Sequence, residues 1–272
     1  MDQADPLIAP GHVIHWKISS ATYDENRPEQ IDGWLKVGET WDSAMYYNEK
    51  RCILGFKGTQ MLFNDFYNDI QLTLNQKGCP PKADPTAKMV QDFFNEGHGI
   101  PLQLTGHSLG GAVARCVGNL LNLNVVTFNA AAPPNGIVQT QPSPRETNYH
   151  IFGDIISAWE CPNTIRIDKG FNLINGPDAF NHSVKQFQNA HTLAAFSAAG
   201  KPGTIVSAST ENDLFDRWYQ STPQIVKSLW GSYTDFSQTI KTASSSVSGF
   251  VKSVAKPGPV SKILGTDLPR LY

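Results

Sequence analysis

The run LQLTGHSLGGAVARCVGNLL, from Leu102 to Leu121, decides how the rest of this 272-residue chain is read. It begins like a strand, breaks at Gly106, presents His107 and Ser108, and resumes through Gly110 and Gly111 as an apolar helix. A serine hydroxyl is a weak nucleophile unless a base takes its proton and donors stabilise the oxyanion formed by its attack on a carbonyl. A sharp strand-to-helix turn provides for both. It lifts the side chain above the sheet and aims the free backbone N–H groups of the next helix at the developing charge. Such a turn needs almost no side chain at its flanks, where Gly106 and Gly110 stand, and Gly111 lets the helix approach the sheet. Ser108 therefore reads as a nucleophile rather than as a polar turn residue.

Working outward, IPLQLTG reads as a strand, SLGGAVARCVGNLL as a helix and NVVTFNAA as the next strand. Upstream, VIHWKISSATY predicts a helix over Val13 to Tyr23. WLKVGETWDSAMYYNEKRCILGFKG predicts a hairpin around NEK leading to a buried strand at Cys52 to Phe56. TAKMVQDFFNEG has helical spacing at Met89, Val90, Phe93 and Phe94. Downstream, NYHIFGD and NTIRI read as short strands, and Ser183 to Gly200 as a single helix capped by Ser183, with His191 on its apolar side. Alternating strands and helices predict an α/β fold, a mostly parallel central sheet flanked by helices. Residues 1–200 form the expected catalytic domain. Residues 201–272 form an extension of two amphipathic helices, marked by Ile225, Leu229, Trp230 and Phe236 and then by Val247 and Phe250, with a proline-marked tail.

Composition narrows the function. With 22 basic and 24 acidic residues, a net charge of -2 gives no reason to expect a nucleic-acid partner. The acidic start lacks the basic region of a secretory signal, and no apolar run is long enough to span a membrane, so a soluble, cytoplasmic or intracellular protein is expected. Cys52, Cys79, Cys116 and Cys161 show no metal-ligand spacing and are preferred as reduced thiols, those at 52 and 116 as small core residues, with a disulfide the alternative for Cys79 and Cys161 in their proline-flanked loops. No metal or cofactor is expected.

TGHSLGGAVA, preceded by ILGFKGT and followed by VVTFNAAAPPNG, resembles the class 3 lipase family of α/β-hydrolases over about Val13 to Ala199. The family pattern departs at Lys57, where arginine is usual, and at FNAAAP. The resemblance implies an α/β-hydrolase fold and the chain order serine, acid, histidine. Asp154 ends a strand and matches the family's acid position, with Asp168 and Asp178 as weaker candidates. For the base, HSVKQF and HTLAAF have the same shape. His182 lies on the loop where the last catalytic residue belongs and is preferred. His191, inside the expected helix, is the alternative base, a mid-helix histidine being more often a packed core residue. His107 reads as structural, and His12, His15, His98 and His150 have no comparable setting. The oxyanion hole would use the backbone N–H of Leu109 and, by resemblance, that of Thr59.

The expected activity is carboxylic-ester hydrolysis on lipid esters, as a lipase or phospholipase, through Ser108, His182 and Asp154 and an acyl-enzyme. The segment from Met61 to Tyr67, where the family places its lid, is either a lid or one face of a core helix. The competing expectation is a non-catalytic hydrolase-fold scaffold, with the C-terminal extension contacting a membrane or a protein partner.

Overall fold

Among the described residues, nine strands hydrogen-bond side by side in the order in which the chain makes them. The computed structural model describes residues 3–58, 83–95, 99–131, 145–154, 157, 163–170, 189–199 and 202–207. The strands are β1 (Gln30–Ile31), β2 (Trp34–Glu39), β3 (Ser43–Asn48), β4 (Arg51–Phe56), β5 (Leu102–His107), β6 (Asn124–Phe128), β7 (Glu146–Ile151), β8 (Thr164–Asp168) and β9 (Thr204–Val206). Strands β4 to β8 are parallel, while β1 to β4 and the β8–β9 pair are antiparallel. The sheet is thus mixed with a parallel core, rather than mostly parallel. From β1 to β4 the reason is connection length: a tight turn can return a chain only antiparallel, whereas parallel neighbours need a crossover. The turn between β1 and β2 is Asp32–Gly33, both at positive φ (47° and 84°), the backbone that a two-residue hairpin demands.

Helices α1 (Val13–Ala21), α2 (Ala83–Asn95) and α3 (Leu109–Leu121) flank the sheet. In a strand, adjacent side chains point to opposite faces. Ile53 accordingly packs with Ile14 and Ile18 of α1, while Leu54 packs with Val90 of α2 and Val113 of α3. Val125 and Val126 divide the same way, the second lying with Trp16 of α1. Burial on both faces explains why β4 at Cys52 to Leu54 and β6 at Val125 and Val126 carry apolar residues at successive positions. A buried ion pair between Arg115 on α3 and Glu146 on β7 is backed by Asn148, whose amide also donates to Glu146 at 2.6 Å.

The carboxyl ends of β4 to β7 share one edge of the sheet, bringing Gly58, Ser108, Asn129 and Asp154 to the same side. To this edge comes a segment that differs from the expected single helix of Ser183 to Gly200. Among its described residues the helix ends at His191, Thr192 is extended (φ -71°, ψ 151°), and a 3-10 helix follows at Leu193–Phe196. Tertiary hydrogen bonds override the helical periodicity. The Trp16 indole N–H donates to the Leu193 carbonyl at 3.0 Å, and Ala4 pairs with Ser197 in an antiparallel bridge. On either side of that bridge Asp5 N–H donates to Phe196 O at 2.8 Å and Ala198 N–H to Gln3 O at 2.6 Å. Residues 204–206, which the sequence reading assigns to the extension, form β9 on the sheet.

Cys116 is disulfide-bonded, correcting the reading of a reduced thiol; its partner lies outside the described residues, and Cys52 is free and buried. Thr59, Met61 to Tyr67, Asp178, His182 and the chain beyond residue 207 also lie outside the described residues. No helix among the described residues is long and apolar enough to cross a membrane.

Candidate active site

The elbow at Ser108 is built from steric necessity. Ser108 sits at φ 57° and ψ -127°, a backbone that costs a non-glycine residue about 1–3 kcal/mol and persists only where its surroundings enforce it. The enforcing contacts come from both flanks. A Cβ at Gly110 would lie 2.2 Å from the Phe56 carbonyl oxygen, and one at Gly106 would lie 2.5 Å from the Gly110 carbonyl. Neither position can carry a side chain without moving backbone. The Ser108 carbonyl accepts from Ala112 N–H at 3.1 Å and from Ala131 N–H at 2.9 Å, stapling the turn to the start of α3 and to the chain after β6. Ser108 is fully buried, and its Oγ makes no hydrogen bond among the described residues. Leu109 opens α3, so its N–H is one of the first four in the helix, which have no intrahelical acceptor.

Asp154 lies just past β7, in a turn closed by its N–H donating to Ile151 O at 3.0 Å. It is fully buried, and its Oδ2 stands 2.9 Å from His191 Nδ1. The Ser157 hydroxyl also donates to Oδ2, and His150 Nδ1 lies 2.6 Å from that hydroxyl. Burial alone would raise the Asp154 pKa. The charge and hydrogen bond of His191, the nearby His150 and the Ser157 hydroxyl outweigh it and hold the carboxyl below its ordinary range. An ionised Asp154 accepts the Nδ1–H of His191, which leaves Nε2 as the basic nitrogen of the neutral ring.

Three strands hold the backbone beneath that histidine. The Asn129 side chain, at the end of β6, donates to Ala190 O at 2.8 Å and accepts from Ile151 N–H of β7 at 2.8 Å. His107, at the end of β5, approaches the His191 carbonyl to 2.6 Å through Nε2, and the two imidazoles lie 4.8 Å apart between centroids. Burial, with His191 nearby, lowers the His107 pKa to about 3, so its ring is neutral at pH 7.

Of the residues singled out from sequence, the structure brings Ser108, Leu109, Asp154 and His191 to one edge. Asp168 instead closes a turn, accepting from Gly170 N–H at 2.6 Å. Asn129 and Ser157 escape the sequence reading, and His150, to which it gives no setting beside the site, stands against the Ser157 hydroxyl that donates to Asp154. Asn129 follows β6 at φ 45°, so an asparagine at a strand end just before AAAP is the available signal.

A family profile described as phospholipase-like, the Tle-like phospholipase domain, matches residues 15–167, more than half of the chain. The chain belongs to this family. The Tle-like match takes in the elbow and Asp154 and ends before His191. A comparison with curated proteins found no match. Among solved structures, a triacylglycerol lipase from Penicillium expansum is 18% identical at a TM-score of 0.42, covering 61% of this chain and 81% of its own. Lip2 lipase from Yarrowia lipolytica is 13% identical at a TM-score of 0.43, with coverages of 66% and 85%. A mutant form of MDLA from Penicillium cyclopium is 12% identical at a TM-score of 0.40, with coverages of 70% and 99%.

Proposed function

We propose that this protein is a serine carboxylic-ester hydrolase acting on lipid esters, with Ser108 as nucleophile, His191 as base and Asp154 as the carboxylate that orients it. The observation that carries the reading is the His191 Nδ1 to Asp154 Oδ2 contact of 2.9 Å, formed on the sheet edge where the strained Ser108 stands. His182 is the base preferred from sequence because His191 is expected there within a helix. That objection weakens once the helix ends at His191, and His182 lies outside the described residues.

In the proposed reaction Ser108 Oγ attacks the ester carbonyl carbon as its proton passes to His191 Nε2. Asp154 stays ionised and stabilises the imidazolium without taking the proton. The tetrahedral oxyanion draws on the N–H of Leu109 and, by family resemblance, that of Thr59. Collapse breaks the ester C–O bond, His191 returns the proton to the departing alcohol, and an acyl-enzyme remains. Water, deprotonated by His191, then attacks the acyl carbon, and the Ser108 hydroxyl is restored as the fatty acid leaves. A lipid ester as substrate is supported by the family's phospholipase-like description.

A fluorophosphonate probe tests the nucleophile. Labelling of the native chain and loss of label in Ser108→Ala is the expected result; a folded native chain that resists the probe would favour a non-catalytic scaffold. For the base, His191→Ala should lower kcat for a short-chain ester by about 10⁴-fold, while His182→Ala leaves the rate within a few fold. The reverse order would return the role to His182.

A further inference from the structure

We infer that Tyr23 and His107 are positioning residues that lock the end of β4 to the segment carrying His191, fixing the oxyanion side of the site relative to its base; this rests on the function proposed above. The chain of contacts runs through named atoms. Gly58 N–H donates to Tyr23 Oη at 3.1 Å. Tyr23 Oη lies 2.8 Å from His107 Nδ1, and His107 Nε2 lies 2.6 Å from the His191 carbonyl oxygen. His191 Nδ1 then reaches Asp154.

The proton positions follow from chemistry. The His191 carbonyl can only accept, so His107 carries its hydrogen on Nε2 and donates it there. A neutral ring then has only an acceptor left at Nδ1, and the tyrosine hydroxyl donates to it. Because that hydroxyl gives its hydrogen to His107, its lone pairs face Gly58 N–H. Every link therefore has one direction, and the set works only with a neutral His107. Burial favours that state, and it also holds Tyr23 protonated by pushing the phenol pKa up.

The consequence is geometric. Gly58 immediately precedes Thr59, the family-implied oxyanion donor, while His107 immediately precedes the nucleophile. Through His107 the tyrosine hydroxyl thus links the end of β4 to the segment carrying His191, two parts that the sheet alone does not join. A loosened site of this kind loses transition-state stabilisation more than substrate binding.

The test uses the full chain and a water-soluble short-chain ester. Tyr23→Phe preserves the ring and removes only the hub, and should lower kcat by about tenfold with KM within about twofold. His107→Leu should lower it by about a hundredfold. His107→Gln, whose amide can still donate toward the His191 carbonyl, should recover part of that loss. Tyr23→Phe should cost nothing further in a His107→Leu background, since both act through one chain of bonds. Melting temperatures separate positioning from unfolding, and nitrogen NMR of His107 should show the Nε2–H tautomer whether or not the chain turns over. A Tyr23→Phe enzyme with native kcat, additive losses in the double variant, or a His107 bearing its hydrogen on Nδ1 would each overturn the inference. An untouched native rate in Ser108→Ala would instead sink the proposed function and leave the NMR result standing.

Discussion

The two segments that meet at the site are held by opposite means. The elbow from Leu102 to Leu121 is fixed by close backbone packing, with Gly106 and Gly110 leaving no room for a Cβ. The segment from Asn189 to Ser197 is α-helical for only its first three residues and is pinned by side chains from elsewhere: Asn129, His107, Asp154 and Trp16. The elbow is therefore a rigid product of its own sequence, and the base segment is a guest of the sheet. Damage to the first should cost fold and activity together, and damage to the second should cost activity while the fold survives.

That contrast can be broken most sharply at Asp154. Asp154→Asn should lower kcat by about 10³–10⁴-fold, roughly 4–5 kcal/mol of barrier, with the thermal transition still cooperative. An Asp154→Asn chain that fails to fold would erase the distinction. Gly110→Ala comes next, because the added carbon meets the Phe56 carbonyl oxygen. About 3 kcal/mol of stability should be lost, with activity falling in step with the folded fraction, as denaturant titration would show.

Acidification sharpens the comparison. His15 and His107 are buried and neutral, their pKa values lowered to about 3 from 6.5 chiefly by burial. The unfolded chain binds their protons first, so stability should fall as pH drops below about 6.5 and continue falling toward 3. Between pH 7 and 4.5 each contributes on the order of 2 kcal/mol of destabilisation, read from urea midpoints. Asp154 has the same sign in a lower window: its pKa is lowered from 3.8, so its contribution is present above that value and is lost as pH falls through the native one. The smallest effect is expected at Asn129→Ala, about 1–2 kcal/mol of stability from lost buried hydrogen bonds. Its kcat should fall by more than the folded fraction does, since Ala190 is released beside the base.

How much can be read beforehand follows the same division. The glycines around Ser108 act on atoms within four residues or on the neighbouring strand end, so their roles are legible, down to Gly111, where a Cβ would come within 2.7 Å of Ala130. The strands at Cys52 to Phe56 and Asn124 to Phe128 are legible because both faces are covered. The hairpin at Asp32–Gly33 escapes the sequence reading although its dipeptide is a strong turn signal, because the preceding DENRP reads only as a polar break. The end of the helix at His191 is not legible. Nothing between Gln188 and Phe196 breaks a helix by itself; Trp16 and the Ala4 bridge do, from about 180 residues away in the chain.

The Ala4 to Ser197 bridge also sets an order of events. Ala4 leaves the ribosome about 190 residues before Ser197, so it waits for its bridge partner while the sheet between them is made. Contacts this distant close late and carry a large loop entropy. The residues that steady His191 therefore come together late in folding, and a half-made chain carries its serine elbow without the base proposed for it.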